Sequence, residues 1–216
     1  MVDTVSEGGA PRRGRFIVLE GLDASGKSTQ VDRLAAWLET RGSHVHVTAE
    51  PTSGPIGSLI RQSFAGRVPL DDRVIAALFV ADRIDHLTNA RDGVLGFLER
   101  GIDVVSDRYV LSSLAYQSGD VGMEWVLHAN EVATRLLRPD LTIYLDLPPA
   151  AALRRLETRR GIPDRFEELE RLTRAYADYE LAIEMLHEKD SIVRIAATGT
   201  PDEVAERVRA AVAGEL

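Results

Sequence analysis

The sequence predicts an α/β protein built on a five-stranded parallel sheet with helices on both faces. Three observations carry this. Five short apolar runs rich in β-branched residues alternate with segments of helical periodicity, the pattern of strands covered on both sides. The 216 residues suit one domain with a sizeable core, and a composition of 44% hydrophobic and 28% charged residues is that of a globular chain. No internal repeat or low-complexity segment divides the chain, so a single domain is expected.

Residues 1–14 (MVDTVSEGGAPRRG) are small and polar and read as a flexible N-terminal tail, leaving 15–216 as the domain. RFIVLE (15–20) is the first strand. A helix follows over 28–41, with Val31, Leu34, Ala35 and Leu38 on one face and Gly42 as its stop. HVHVTA (44–49) is the second strand, after which Glu50-Pro51 leads to a helix containing Arg61. Val74, Leu78, Ala81 and Asp85 open a longer helix reaching to about 98, capped by Asp71 or Asp72 and kinked near Gly93 and Gly96. GIDVVSD (101–107), LTIYLDL (141–147) and SIVRIAA (191–197) are the remaining strands. The helical pattern also covers 122–137, 149–160, 165–188 and 202–213.

Charge and cysteine content exclude several functions. With 26 basic and 34 acidic residues the net charge is −8, which disfavours non-specific nucleic-acid binding and docking on anionic lipid. Cysteine is absent, so neither a disulfide framework nor a thiolate zinc site can form, which suits the cytoplasm. The five histidines show no ligand spacing backed by carboxylates, and no apolar run approaches a membrane span. Arg12-Arg13 precede an apolar run that Glu20 ends too early for an export signal. The basic residues are 24 arginines and only two lysines, Lys27 and Lys189.

Gly21, Leu22, Asp23, Ala24, Ser25, Gly26, Lys27 and Ser28, followed by Thr29, make a complete G-x-x-x-x-G-K-[ST] pattern between the first strand and the first helix. Glycines let the backbone curl so that N–H groups face phosphate oxygens, and the helix N-terminus adds positive potential. Lys27 supplies a compact cation for the β- and γ-phosphates, and the Ser28 hydroxyl can ligate Mg²⁺. A P-loop NTPase that binds ATP with magnesium is expected. No Asn-Lys-x-Asp element appears, which disfavours a GTPase and points to phosphoryl transfer to a small acceptor.

Further segments stand where strands end or helices face a cleft: FVADR (79–83), Asp107-Arg108-Tyr109, SSLAYQ (112–117) and Asp164-Arg165-Phe166-Glu167. With GLDASGKST, in this order, they make the chain resemble a bacterial thymidylate kinase from about Phe16 to the last helix. The resemblance implies the reaction ATP + dTMP → ADP + dTDP on a five-stranded parallel sheet. It implies that Phe79 stacks on thymine, that Arg83 bonds its edge, and that Ser113 and Gln117 touch the base. Tyr116 stands where the family sets a residue against the 2′ position, and Arg108 holds the dTMP phosphate, with Arg61 as a second candidate. Asp23 and Glu50 lie near the acceptor, and Asp107 acts through the magnesium shell. Singly, each has a plain alternative: Phe79 as core, Arg83 as a partner of Asp82, Tyr116 as a loop plug.

The loop position after Asp23 is Ala24, so no loop arginine is present, whereas 154–165 holds five arginines against Glu157 and Asp164. This resembles the lid-arginine type, with a lid near 154–165 and Arg160, before Gly161, meeting the transferring phosphoryl group. Arg154 and Arg155 read instead as a solvated face. The family's Arg-Glu-Pro-Gly-Gly is Ala49-Glu50-Pro51-Thr52-Ser53 here, so a basic residue is missing.

A nucleotide monophosphate is mostly ionised at neutral pH and needs no general base, only relief of repulsion between polyanions. A sugar hydroxyl does need a base, and Glu50 makes a deoxynucleoside kinase the second reading. An inert nucleotide-binding regulator is the third, disfavoured because Lys27, Ser28, Asp107 and Arg108 are all present. The resemblance also implies a homodimer through the 74–98 and 122–137 helices, with no nucleic-acid or membrane partner.

Overall fold

A computed structural model describes residues 12–160 and 165–215. In chain order the elements are β1 (Phe16–Glu20), α1 (Lys27–Thr40), β2 (Val45–Ala49), α2 (Pro55–Phe64), α3 (Asp72–Thr88), α4 (Val94–Glu99), β3 (Asp103–Asp107) and α5 (Val110–Tyr116). There follow α6 (Ser118–Val121), α7 (Met123–Ala129), α8 (Glu131–Leu136), β4 (Leu141–Asp146), α9 (Pro149–Arg160), α10 (Arg165–Leu186), β5 (Ile192–Ala196) and α11 (Pro201–Glu215).

The five strands form one parallel sheet in the order β2-β3-β1-β4-β5, covered by helices on both faces. The central strands are the most apolar runs, and Phe16–Leu19 and Leu141–Leu145 are buried throughout. The edge strands β2 and β5 are half-buried, as their mixed sequences require. Because β1 lies between β3 and β4, the chain leaves β1 toward one side and later returns on the other. A crevice opens at such a reversal, beyond the carboxyl ends of the strands. The register sets Leu19 opposite Asp107, which brings the turn after β1 beside the turn after β3.

Two expected helices are divided. The 74–98 segment is α3 and α4, separated by a break rather than a kink. Asn89 leaves helical backbone angles, its side chain bonding Asp85 at 3.1 Å and accepting from the Arg91 N–H at 3.0 Å. The 122–137 segment splits at Asn130, whose buried amide donates to the Val126 carbonyl and accepts from Arg83. The short helices α5 and α6 were not expected from the pattern. Asp71, not Asp72, caps α3, accepting from the Arg73 N–H at 2.9 Å.

Of the expected tail, residues 1–11 lie outside the described residues. Its end is pinned to the domain by the Arg13–Asp140 ion pair at 3.0 Å and by the Gly14 N–H on the Leu98 carbonyl at 2.8 Å. Residues 161–164, the later part of the expected 154–165 lid, also lie outside the described residues.

Candidate active site

The turn from β1 to α1 is built by its backbone. Gly21 (φ 143°) and Gly26 (φ 102°) occupy conformations that side chains resist, and a Cβ on Gly21 would fall 2.7 Å from the Leu145 carbonyl oxygen. Gly26 begins α1 with no side-chain cap and no acidic residue in the first turn, so the helix's positive end is left for an anion. Lys27 is buried, and its Nζ donates to the Gly21 and Leu22 carbonyls at 2.9 Å each. Burial and the neighbouring Arg108 hold its pKa down to about 8, against Asp107, Asp23 and Glu20, which raise it.

The loop separates two cavities. Ala24, Ser25, Gly26 and Thr29 line one of about 610 Å³, closed by Arg155, Thr198 and Pro201. Asp23 lines the other, of about 600 Å³, with Phe79, Arg108, Tyr116, Gln117 and Arg171. A third, of about 940 Å³, runs along β2 and includes Ser28, Asp107, His86 and Arg61.

Arg108 sits at the mouth of the crevice in a left-handed backbone conformation (φ 80°), strained for any residue with a side chain. The surroundings hold it there. The Arg108 N–H donates to the Leu19 carbonyl, while buried Glu20 accepts from the Tyr109 and Ser112 N–H groups at 2.7 and 3.1 Å. Glu20 also accepts from the Ser112 and Tyr179 hydroxyls, and burial pushes its carboxyl up against those bonds. The Arg108 guanidinium donates to Ser112 at 2.9 Å and to Asp23 at 2.5 Å. Burial alone would push its pKa down; Tyr179, Asp23, Tyr116 and Glu20 raise it instead, so it stays a cation. Asp23 is held by Arg108 on one oxygen and by Arg171 on the other, at 3.0 Å. Burial raises its carboxyl, but Arg108, Lys27 and Arg171 outweigh that and keep it below the usual range.

Ser28 donates to Asp107 Oδ2 at 2.7 Å, and Asp107 Oδ1 is buried without a hydrogen-bond partner among the described residues. This hydroxyl and carboxylate are a hard-oxygen pair suited to Mg²⁺, which takes one or two protein ligands and completes its shell with phosphate oxygen and water. No cluster of three His, Cys, Asp or Glu side chains that could hold a metal occurs among the described residues.

Arg83 and Glu50 form a separate, buried unit. Arg83 is 1% exposed and donates to Glu50 Oε2 at 2.9 and 2.5 Å, to Asn130, to the Tyr109 carbonyl at 2.9 Å and to Ser113 at 3.1 Å. Glu50 also meets His86 at 3.0 Å, and its pKa is lowered by Arg83 and His86 in spite of burial. Thus Arg83, Glu50 and Ser113 are buried in this unit and do not line the cavity that Asp23 lines, whereas Phe79, Tyr116 and Gln117 do. Phe79 is 8% exposed, in a small cluster with Ile60 and Ile75 apart from the main core. Gln117 Oε1 is buried without a hydrogen-bond partner among the described residues.

Arg61 does not line the cavity that Arg108 lines. It lines the third cavity, bonded to the Pro51 carbonyl at 2.8 Å. Arg155, read as a solvated residue, instead donates to the Ala24, Ser25 and Ala197 carbonyls at 2.9 to 3.2 Å and braces the loop. The Arg160 side chain lies outside the described residues. Sequence reasoning missed Arg171, Glu20 and Tyr179, and also Phe64, which is 62% exposed with its ring 6.2 Å from Phe79. Only the helical spacing of Arg171 and Tyr179 along 165–188 was visible, and it says nothing of what they face.

The thymidylate kinase family model matches residues 19–208. The protein named "Probable thymidylate kinase" of Pyrococcus abyssi is 39% identical over 212 residues, 94% of this chain and 98% of the relative. That of Pyrococcus horikoshii is 42% identical over 170 residues, 75% of this chain and 80% of its own. The thymidylate kinase of Xanthomonas campestris pv. campestris is 37% identical over 205 residues, 91% and 87% of the two chains.

Proposed function

The chain belongs to the thymidylate kinase family, and on that premise we propose the roles of its cavities and side chains. The protein transfers the γ-phosphoryl group of ATP to dTMP, giving dTDP and ADP. One observation carries the assignment of sides: adjacent residues of a single loop, Asp23 and Ala24, line two different cavities. The Ala24 side, braced by Arg155, takes ATP, and the Asp23 side takes dTMP.

Phe79 offers the thymine ring an apolar face. Thymine presents an N–H at position 3, and the unpaired Gln117 Oε1 is an acceptor of the kind it requires. Arg83 and Ser113 do not line the cavity and hold the buried unit instead. Arg108 binds the acceptor phosphate, and Lys27 binds the donor's β- and γ-phosphates. Bound Mg²⁺, held by Ser28 and Asp107, would neutralise phosphate charge. The acceptor oxygen is already ionised, so these residues only position two polyanions and offset their repulsion. Glu50 is 4% exposed and committed to Arg83 and His86, so it is not open to a sugar hydroxyl.

We assign the chain to the lid-arginine type, supported by Ala24 in the loop and by the arginines of 154–165, with Arg160 meeting the transferring group. The active form proposed is a cytoplasmic homodimer. Val74 on α3 and Trp125, Val132 and Leu136 on α7 and α8 are large apolar side chains more than 40% exposed, on the helices expected to pair. Among the described residues no helix is long and apolar enough to cross a membrane.

Tyr116 tests the acceptor side. Its ring lies 5.1 Å from the Arg108 guanidinium, and its hydroxyl accepts from the Asp23 N–H at 3.1 Å, which fixes it as one wall of the cavity. Tyr116→Ala should reduce the preference for dTMP over the ribose monophosphate in kcat/KM by about tenfold. An unchanged ratio would make Tyr116 a packing residue.

A further inference from the structure

We propose that Arg171, from α10, is the second cation of the acceptor-phosphate site, paired with Arg108. The proposal rests on the monophosphate reading and goes beyond it by naming the partner cation.

The geometry is a clamp around an anion. Asp23 presents one carboxylate oxygen to Arg108 at 2.5 Å and the other to Arg171 at 3.0 Å. The two guanidiniums lie 5.1 and 5.9 Å from the Tyr116 ring, so one aromatic wall supports both. They come from different elements, Arg108 from the turn after β3 and Arg171 from α10. Both line the same cavity as Phe79 and Gln117.

Arg171 also has capacity to spare. Its Nε and Nη2 are taken by Glu168, at 3.2 and 2.7 Å, and by Asp23, while Nη1 makes no hydrogen bond among the described residues. The side chain is 42% exposed, whereas that of Arg108 is 18% exposed. Glu168 therefore holds the guanidinium of a residue that lines the cavity and leaves Nη1 to donate elsewhere. A phosphate carries more charge and more acceptor atoms than a carboxylate, so it can engage Arg108 and Arg171 together. Arg61, the second candidate by resemblance, lines another cavity, and position 49 before Glu50 is alanine.

Binding of dTMP and of thymidine, which lacks the phosphate, to wild-type protein and to Arg171→Ala tests this by titration calorimetry. The expected result is a loss of dTMP affinity of about 10- to 100-fold with thymidine affinity unchanged, and partial recovery in Arg171→Lys. Equal losses for both ligands would make Arg171 structural and overturn the proposal, as would a full dTMP preference in Arg171→Ala, or its loss in Arg61→Ala instead. A wild-type protein that binds dTMP no tighter than thymidine would overturn the monophosphate reading itself, and the proposal with it.

Discussion

Replacing Lys27 by alanine is expected to lower kcat on the order of 10³-fold while leaving the fold intact. In the structure its Nζ bonds the carbonyls of Gly21 and Leu22, two contacts that the loop can lose to water without uncovering core. What the variant lacks is the compact cation proposed to meet the donor phosphates. A guanidinium is planar and forked and suits that role less well than an ammonium. This gives a reason for one of only two lysines in a chain with 24 arginines.

A pH dependence follows from the same residue. Its pKa in the nucleotide-free protein is held down to about 8, so the ammonium form prevails at neutral pH and is lost above that value. A polyanion binding above pH 8 must first restore the proton, which weakens ATP binding by about tenfold for each further pH unit. Titrating ATP affinity against pH should show that fall in the wild type and a flat profile in Lys27→Ala. A parallel fall in both would assign the titration to another group.

Arg83→Ala should destabilise the protein by about 3–5 kcal/mol, the largest stability loss expected of any single substitution discussed. The cost comes less from the bonds lost than from what is left behind: Glu50, 4% exposed, with His86 as its remaining side-chain partner among the described residues. The Asn130 side chain and the Tyr109 carbonyl lose a charged donor as well. Acidification gives the sign of the effect. Glu50 has a lowered pKa in the native protein, so its contribution is full above the ordinary carboxylate value and is lost as pH falls through the native one. In Arg83→Ala the carboxyl, left without its arginine, would be raised and tolerate protonation, so the gap in unfolding free energy should narrow from about pH 7 to about pH 4. Denaturant unfolding of both proteins at the two pH values measures it. A loss below about 1 kcal/mol, or a gap independent of pH, would contradict this account of the pair.

The two substitutions mark what was legible in the sequence. The fold followed from apolar runs and helical spacing, because strands buried on both faces leave that signature and little else does. The loop was legible because its chemistry fixes residue types at fixed spacing: Gly21, Gly26, Lys27 and Ser28 have little freedom to vary. Phe79, Arg108, Tyr116 and Gln117 could be located by resemblance, and the structure gathers them around one cavity. Sequence could not show that Arg83 turns from that cavity into a buried ion pair. The spacing of Asp82 and Arg83 reads equally well as surface, core or site.

Arg155 and Arg171 show the same limit. Both lie in helices dense with charged residues, where a solvated face is the ordinary reading, yet one braces the phosphate loop and the other holds Asp23. Their partners are 131 and 148 residues away in sequence, contacts that only the closed tertiary structure creates. The breaks at Asn89 and Asn130 were hidden for a different reason. Each asparagine fits a helical pattern, and only its side-chain bonds to neighbouring backbone or carboxylate decide otherwise.

Rapid mixing of the protein with Mg²⁺, ATP and equimolar dTMP and thymidine, followed by chromatographic counting of products, tests the central claim most directly. The account predicts dTDP and ADP in equal amounts, with thymidine unconsumed. Formation of dTMP from thymidine, or of ADP without dTDP, would contradict it.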